Sequence, residues 1–281
     1  MTPIVLALVL FAAVLHATWN ALVKTNDDRL MTMALLGGSA GLMALLLLPF
    51  FALPVAAAWP YLIAGTFIHA GYKSFLILAY GQGDFGQVYP IARGTAPLLT
   101  AFAGVFLLHE YLSAVQWIAI ALVTGGIISL ALNGPGALAH NLKGVFYALI
   151  TACFIASYTI VDGIGARVSG DVHSFAVWLF FLDGIPLLLV AALLRRHTLR
   201  ISIAKHWRVG AFAALFSTAG YWIILWALTV GAIAPVAALR ETSIIFATVI
   251  AALVLKEGFG WQRIAAAVAV ALGVYLLALA G

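Results

Sequence analysis

The sequence predicts an all-α integral membrane protein, with ten transmembrane helices arranged as two inverted five-helix repeats. Three observations carry that expectation. Hydrophobic residues make up 65% of the 281 positions and charged residues only 8%, where a soluble domain carries about 25% charged. Ten apolar segments can be drawn along the chain, each close to the roughly 20 residues that a helix needs to cross about 30 Å of hydrocarbon. One stretch also occurs twice. Residues 89–110 and 236–257 each hold an arginine near the start of an apolar helix, and a charged pair (His109-Glu110 or Lys256-Glu257) at its end. Arg93 precedes Glu110 by 17 positions, and Arg240 precedes Glu257 by 17.

This composition excludes a water-soluble enzyme. The net charge of +5 is spread over loops between apolar runs and forms no basic stripe, so no nucleic-acid partner is expected. The single cysteine, Cys153, lies inside an apolar run and allows neither an internal disulfide nor a thiolate metal site. Met1-Thr2-Pro3 has no basic n-region, so the first apolar run is read as a retained helix rather than a cleaved signal. No phosphate loop, H-E-x-x-H or dinucleotide fingerprint is present, and no cofactor or metal is expected.

In order, the segments run over 3–23, 30–52, 58–80, 87–108, 113–132, 144–163, 173–194, 208–229, 233–255 and 260–280. Turn residues separate them: Thr25-Asn26-Asp27-Asp28-Arg29 after the first, Leu53-Pro54 after the second, Gly81-Gln82-Gly83-Asp84 after the third, and Asn133-Gly134-Pro135-Gly136 after the fifth. The longest polar stretch runs over 195–208. Pro90 and Pro97 in the fourth segment each remove a backbone donor and can kink their helix. Pro235 reads either as a kink in the ninth segment or as a first-turn proline.

Arg93, Glu110 and Gly126 align with Arg240, Glu257 and Gly273 at a constant offset of 147, and Ala17-Thr18-Trp19 aligns with Ala156-Ser157-Tyr158 at 139. The two units are drawn as 1–138 and 139–281. Five helices is an odd number, so the units must sit with opposite topology. That is the inverted-repeat plan of many transporters, with a substrate site near the midplane between the halves. Loops after the odd-numbered helices hold ten Lys and Arg residues, and the opposite loops hold Arg167 alone. By the positive-inside rule both termini then face outwards.

Ionisable groups at membrane depth mark function by default, because burying them costs roughly 2.5–3.5 kcal/mol on insertion scales. Arg93 and Arg240 come first: each binds an anionic group of a substrate, or pairs with a carboxylate as a fixed structural device. Glu241 follows Arg240 directly, so the two side chains leave a helix about 100° apart and need not meet. His69 and Lys73 share one face of the third helix, Tyr89 and Arg93 one face of the fourth, and His16 and Asn20 one face of the first, beside Trp19. Tyr158 is the aromatic counterpart of Trp19, and Trp222 on the eighth helix either lines a cavity with Tyr221 and Trp226 or packs at an interface. Asp162 and Glu241 are the proton-coupling candidates, with Asp183 also near membrane depth. Asp162 falls close to a predicted helix end, where a solvated carboxylate is the plainer reading. Glu110 and Glu257 are read as structural residues that close their helices.

Gly37-Gly38-Ser39-Ala40-Gly41 matches G-x-S-x-G, with His69 one helix further on, which raises an intramembrane serine protease. The strand–turn–helix elbow of that motif is missing, and the same five residues give the G-x-x-x-G pattern of packed membrane helices.

Leu107-Leu108-His109-Glu110 and Val254-Leu255-Lys256-Glu257 close the two fourth helices, and a glutamine-bearing fifth helix with a late glycine follows each. With His16-Ala17-Thr18-Trp19-Asn20 in the first helix, the whole chain resembles the drug/metabolite transporter superfamily, EamA type. The resemblance implies a bacterial inner-membrane exporter of amino acids, metabolites or toxic organic compounds, driven by a proton gradient or by facilitated diffusion. The cationic groups Arg93, Arg240 and Lys73 favour amino acids or other organic anions and zwitterions as the expected substrates of alternating access, by a monomer or homodimer without cofactor. A cationic-drug exporter is the alternative. The uncharged C-terminal residues Leu277-Ala278-Leu279-Ala280 depart from the basic, cytoplasmic ends expected of many such proteins.

Overall fold

The structure is a computed structural model that describes residues 2–24, 26, 28–82, 85–132, 142–254 and 261–280. The apolar runs fold as α1 (Pro3–Lys24), α2 (Arg29–Leu47), α3 (Trp59–Gln82), α4 (Phe85–Leu108), α5 (Ala114–Leu132), α6 (Leu142–Val168), α7 (Val172–Leu194), α8 (Leu199–Val230), α9 (Ile233–Arg240), α10 (Ser243–Val254) and α11 (Trp261–Leu279). No strand occurs among the described residues. Eight of the described helices are long and apolar enough to cross a membrane. Large apolar side chains such as Phe67, Phe106 and Leu193 stand on the outside, and the buried polar groups lie within. That inversion of the soluble pattern is what a lipid surround favours.

Local chemistry fixes several helix starts. Asp28 caps α2 by accepting from the Met31 amide at 3.1 Å, and Asp171 caps α7 by accepting from the amides of His173 and Ser174 at 3.0 and 3.1 Å. Ser113 and Gln116 form a reciprocal capping box at α5: the Ser113 amide donates to Gln116 Oε1 and the Gln116 amide to Ser113 Oγ. The glutamine of the fifth helix is therefore a cap.

Glycines set the close crossings. On α7, a Cβ at Gly184 would lie 2.6 Å from the Gly37 carbonyl and 2.9 Å from Gly41 Cα, so α2 and α7 touch backbone to backbone. The glycines of the protease-like stretch are thus used in packing. On α11, a Cβ at Gly273 would lie 2.7 Å from the Ala119 carbonyl, and one at Gly126 would lie 3.1 Å from the Ala266 carbonyl. The two repeat-related glycines therefore hold α5 against α11. Elsewhere α1 packs on α8, α9 and α10, α6 on α3 and α4, α2 on α8, and α3 on α7.

Three expectations change, while the proline-bearing fourth segment forms one continuous helix, α4, with Pro90 and Pro97 inside it. The ninth segment divides instead, at Glu241-Thr242, where backbone bonds tighten to the three-residue spacing: Glu241 amide to Ala238 carbonyl, Thr242 amide to Leu239 carbonyl. Pro235 sits in the first turn of α9, where a proline's missing donor costs nothing. The predicted polar loop over 195–208 is largely helical, because α8 begins at Leu199 and spans 32 residues. Its length of about 48 Å exceeds a hydrocarbon core, so its basic start projects beyond the apolar span. Finally, α6 continues to Val168, so Asp162 lies more than a turn inside its helix and is fully buried, not solvated at an end.

Candidate functional site

A cavity opens among α1, α2, α3, α6, α7, α8 and α9. Its polar wall comes from charged side chains that meet in pairs. His69 Nε2 lies 2.7 Å from Asp162 Oδ2, and the Tyr221 hydroxyl donates to the same oxygen at 2.5 Å. Asp162 fits against α3 because residue 65 is glycine: a Cβ there would lie 2.7 Å from Asp162 Oδ1. The Tyr158 ring stacks on the His69 imidazole at a centroid distance of 4.2 Å. One turn along α3, Lys73 Nζ donates to Asp183 Oδ2 at 2.6 Å.

Beside the cavity a single carboxylate serves two arginines. Arg93 Nε lies 2.8 Å from Glu241 Oε2, with both side chains essentially sealed from solvent. Arg240 Nε lies 3.4 Å from Glu241 Oε1. The tightened turn after α9 is what lets neighbouring residues 240 and 241 meet, against the 100° separation of a regular helix. Arg240 also stands over the Tyr158 ring, 5.6 Å from its centroid.

These pairs share a polarity. In His69–Asp162, Lys73–Asp183 and Arg93–Glu241 the basic member belongs to α1–α5, and the acidic member follows in α6–α10. Two further pairs join the same groups of helices near their ends. Glu110 Oε1 meets Arg167 at 3.3 Å, and Asp28 meets Arg195 at 3.6 Å. Glu110 also accepts from the Ile233 amide at 3.0 and 3.1 Å, capping α9 from the end of α4. It is aimed there by His109, whose φ of 54° turns the chain back.

Residues 142–279 match the EamA-like transporter family. That match gives the second half of the chain a likeness to drug/metabolite-type transporters, and the eight long apolar helices give a multi-pass membrane protein. A solved crystal structure of a protein 18% identical to this chain superposes with a TM-score of 0.76 over 99% of each chain, a likeness of fold. The sequence matches no curated protein.

Of the residues singled out in the sequence, His16, Trp19, His69, Lys73, Tyr158 and Arg240 line the cavity. Arg93 is absent from that lining and faces Glu241 instead. Tyr89 is packed with Val123 and Ile127 in the apolar interior. The Asn20 amide folds back to donate to the His16 carbonyl at 2.8 Å, and the Trp19 indole donates to His16 Nδ1 at 3.2 Å. Trp222 turns to the protein's rim, where its indole donates to His173 Nδ1 at 2.9 Å. Lys73, whose length also suited a reach to the interface, stays inside on Asp183. Glu257 lies outside the described residues.

Sequence reasoning gave no site role to Asp183, nor to Ser217 and Thr218, which all line the cavity. A signal was there: Ser217-Thr218 and Tyr221 recur at turn spacing on α8, and Asp183 is the one carboxylate of α7. Among the described residues no group of three His, Cys, Asp or Glu could hold a metal ion.

Proposed function

We propose that the protein is a secondary transporter that exports small organic metabolites, amino acids or other anions and zwitterions, across a bacterial inner membrane by alternating access. The observation that carries this is the cavity itself: charged side chains converge from both groups of helices inside an otherwise apolar chain. Ten crossings are read by counting α9 with α10 as one broken span, and α11 as the last. The packing supports two inverted units, 1–138 and 139–281. Exchanging them turns α1 on α8 into α6 on α3, and α4 on α6 into α9–α10 on α1, while α2 on α7 and α5 on α11 map onto themselves. In this reading the cross-unit ion pairs are the contacts that part and re-form as one unit rocks against the other.

Arg240, Lys73, His69, His16, Trp19 and Tyr158 contact the substrate. Arg93 acts through Glu241, setting the position of Arg240. Asp162 carries the coupling proton. The groups that face it are His69 from α3 and Tyr221 from α8.

The test is counterflow of labelled amino acids in proteoliposomes, with and without a pH gradient. The expected result is exchange in wild-type vesicles that Arg240→Ala abolishes, and gradient-driven uptake that Asp162→Asn loses while exchange persists. Vesicles that exchange no amino acid or organic anion would refute the substrate class. Uptake indifferent to pH in the wild type would refute the role of Asp162.

A further inference from the structure

We infer that Asp183 and Lys73 form a charge-swap site that selects zwitterions, Asp183 taking the substrate's ammonium group while Lys73 takes its carboxylate. The inference rests on the transporter reading above and narrows its substrate class. The argument begins with polarity. Lys73 comes from α3 and Asp183 from α7, and the two meet at 2.6 Å on the cavity wall. Any ligand that enters between them must break the pair. A carboxylate alone would satisfy Lys73 and strand Asp183. An amine alone would do the reverse. A molecule carrying both charges satisfies both groups at once, and only it leaves no buried charge without a partner.

Two further observations point to a ligand at this wall. Asp183 Oδ1 is buried and has no hydrogen-bond partner among the described residues, although Oδ2 holds Lys73. Thr218 Oγ1, which lines the same cavity from α8, is also buried without a partner among them. Thr66, Thr100, Thr151 and Thr159 each donate to the carbonyl four residues back on their own helix, whereas Thr218, like Thr124 on α5, makes no such bond among the described residues. Thr218 leaves its hydroxyl uncommitted. An ammonium group has three donors, enough for Oδ1 and Oδ2 of Asp183 and the Thr218 oxygen.

The pair also sits where binding can be felt by both groups of helices. A Cβ at Gly37 would lie 3.7 Å from Lys73 Nζ and 3.8 Å from the Asp183 carbonyl, beside the backbone crossing of α2 and α7. Replacing a 2.6 Å ion pair by a ligand held from both sides lengthens the link across that crossing. The rings of Trp19, Tyr72 and Phe180 in the same cavity offer surfaces to an apolar side chain.

The test is calorimetric titration of the purified full chain in lipid nanodiscs. The probes are phenylalanine and leucine, their deaminated acids (hydrocinnamate and isocaproate), and their decarboxylated amines (phenethylamine and isoamylamine). The wild type should bind at least one amino acid about a hundredfold or more tighter than its acid and its amine, since a site with buried polar groups rejects analogues that leave them unpaired. Asp183→Asn should shrink the advantage over the acid to less than about tenfold, and Lys73→Gln the advantage over the amine. The wild-type ratios need no variant, so a misfolded substitution leaves the proposal testable. If the acid binds the wild type as tightly as the amino acid, or if Asp183→Asn keeps the full ratio, the charge-swap assignment is overturned and the transporter reading stands. If no probe binds at all, the amino-acid substrate class falls with it.

Discussion

Glu241→Gln tests the arginine cluster most directly. The substitution keeps the volume and an acceptor oxygen but removes the negative charge that Arg93 and Arg240 share. In the native protein Glu241 lies 2.8 Å from one guanidinium and 3.4 Å from the other. Arg93 is 1% exposed, and its two terminal nitrogens have no hydrogen-bond partner among the described residues. At an effective dielectric near 20, unit charges about 4 Å apart attract by about 4 kcal/mol. Breaking a buried pair by removing one partner costs about 3–5 kcal/mol. Two like charges would also be left facing each other. A loss of about 3–5 kcal/mol therefore follows, which for a chain of this size lowers the melting temperature by on the order of 10 °C. Adding Arg93→Met should recover at least about half of that loss, because an apolar side chain of similar length needs no counter-charge. The assay is thermal unfolding of wild type, both single variants and the double variant in one detergent. A Glu241→Gln protein that melts within about 2 °C of wild type would refute the claim that Arg93 depends on Glu241.

Gly184→Ala should destabilise the protein by about 1–3 kcal/mol, since its Cβ would fall 2.6 Å from the Gly37 carbonyl and force α2 from α7; thermal unfolding reads it. Glu110→Ala should cost about 1–2 kcal/mol and speed hydrogen exchange at the Ile233 amide, which loses its acceptor. His109→Gly should stabilise by up to about 1 kcal/mol, as glycine adopts the φ of 54° without a Cβ penalty. Asp171 supplies a pH effect. Partial burial pushes its carboxyl up, but the Ser174 hydroxyl and the amides of His173 and Ser174 outweigh that and hold it below its usual value. A depressed folded pKa gives stability that is present above the unfolded value of about 3.9 and is lost as pH falls through the folded one. Asp171→Asn should therefore flatten the acid limb of the unfolding profile below about pH 4 while keeping the cap.

The helices were legible because lipid makes hydrophobic run length decisive, and ends such as Pro3, Leu108 and Leu132 emerge where the apolar runs stop. What defeated the reading was local hydrogen bonding. The tightened turn came at Glu241-Thr242, where a buried carboxylate meets two arginines and no proline stands to mark it. His69 and Lys73 could be placed on one face from their spacing alone. Their partners could not, because Asp162 and Asp183 lie 93 and 110 positions away and spacing says nothing across helices. Asp162 was misjudged through a helix end placed five residues short of Val168. Arg93 looked like a ligand because an intramembrane cation with no acidic neighbour in sequence has no visible partner. Its partner is 148 positions on, in α9's cap.

The cap that Glu110 supplies to α9 has a consequence for the order of assembly. With eight residues, α9 is far shorter than the roughly 12–15 at which a helix begins to hold its own shape, and its first free amide is satisfied from the other end of the chain's first half. A ribosome makes Glu110 long before Ile233. The acceptor is therefore already in place when the late helix arrives, and α9 is finished on a template that its own chain laid down earlier.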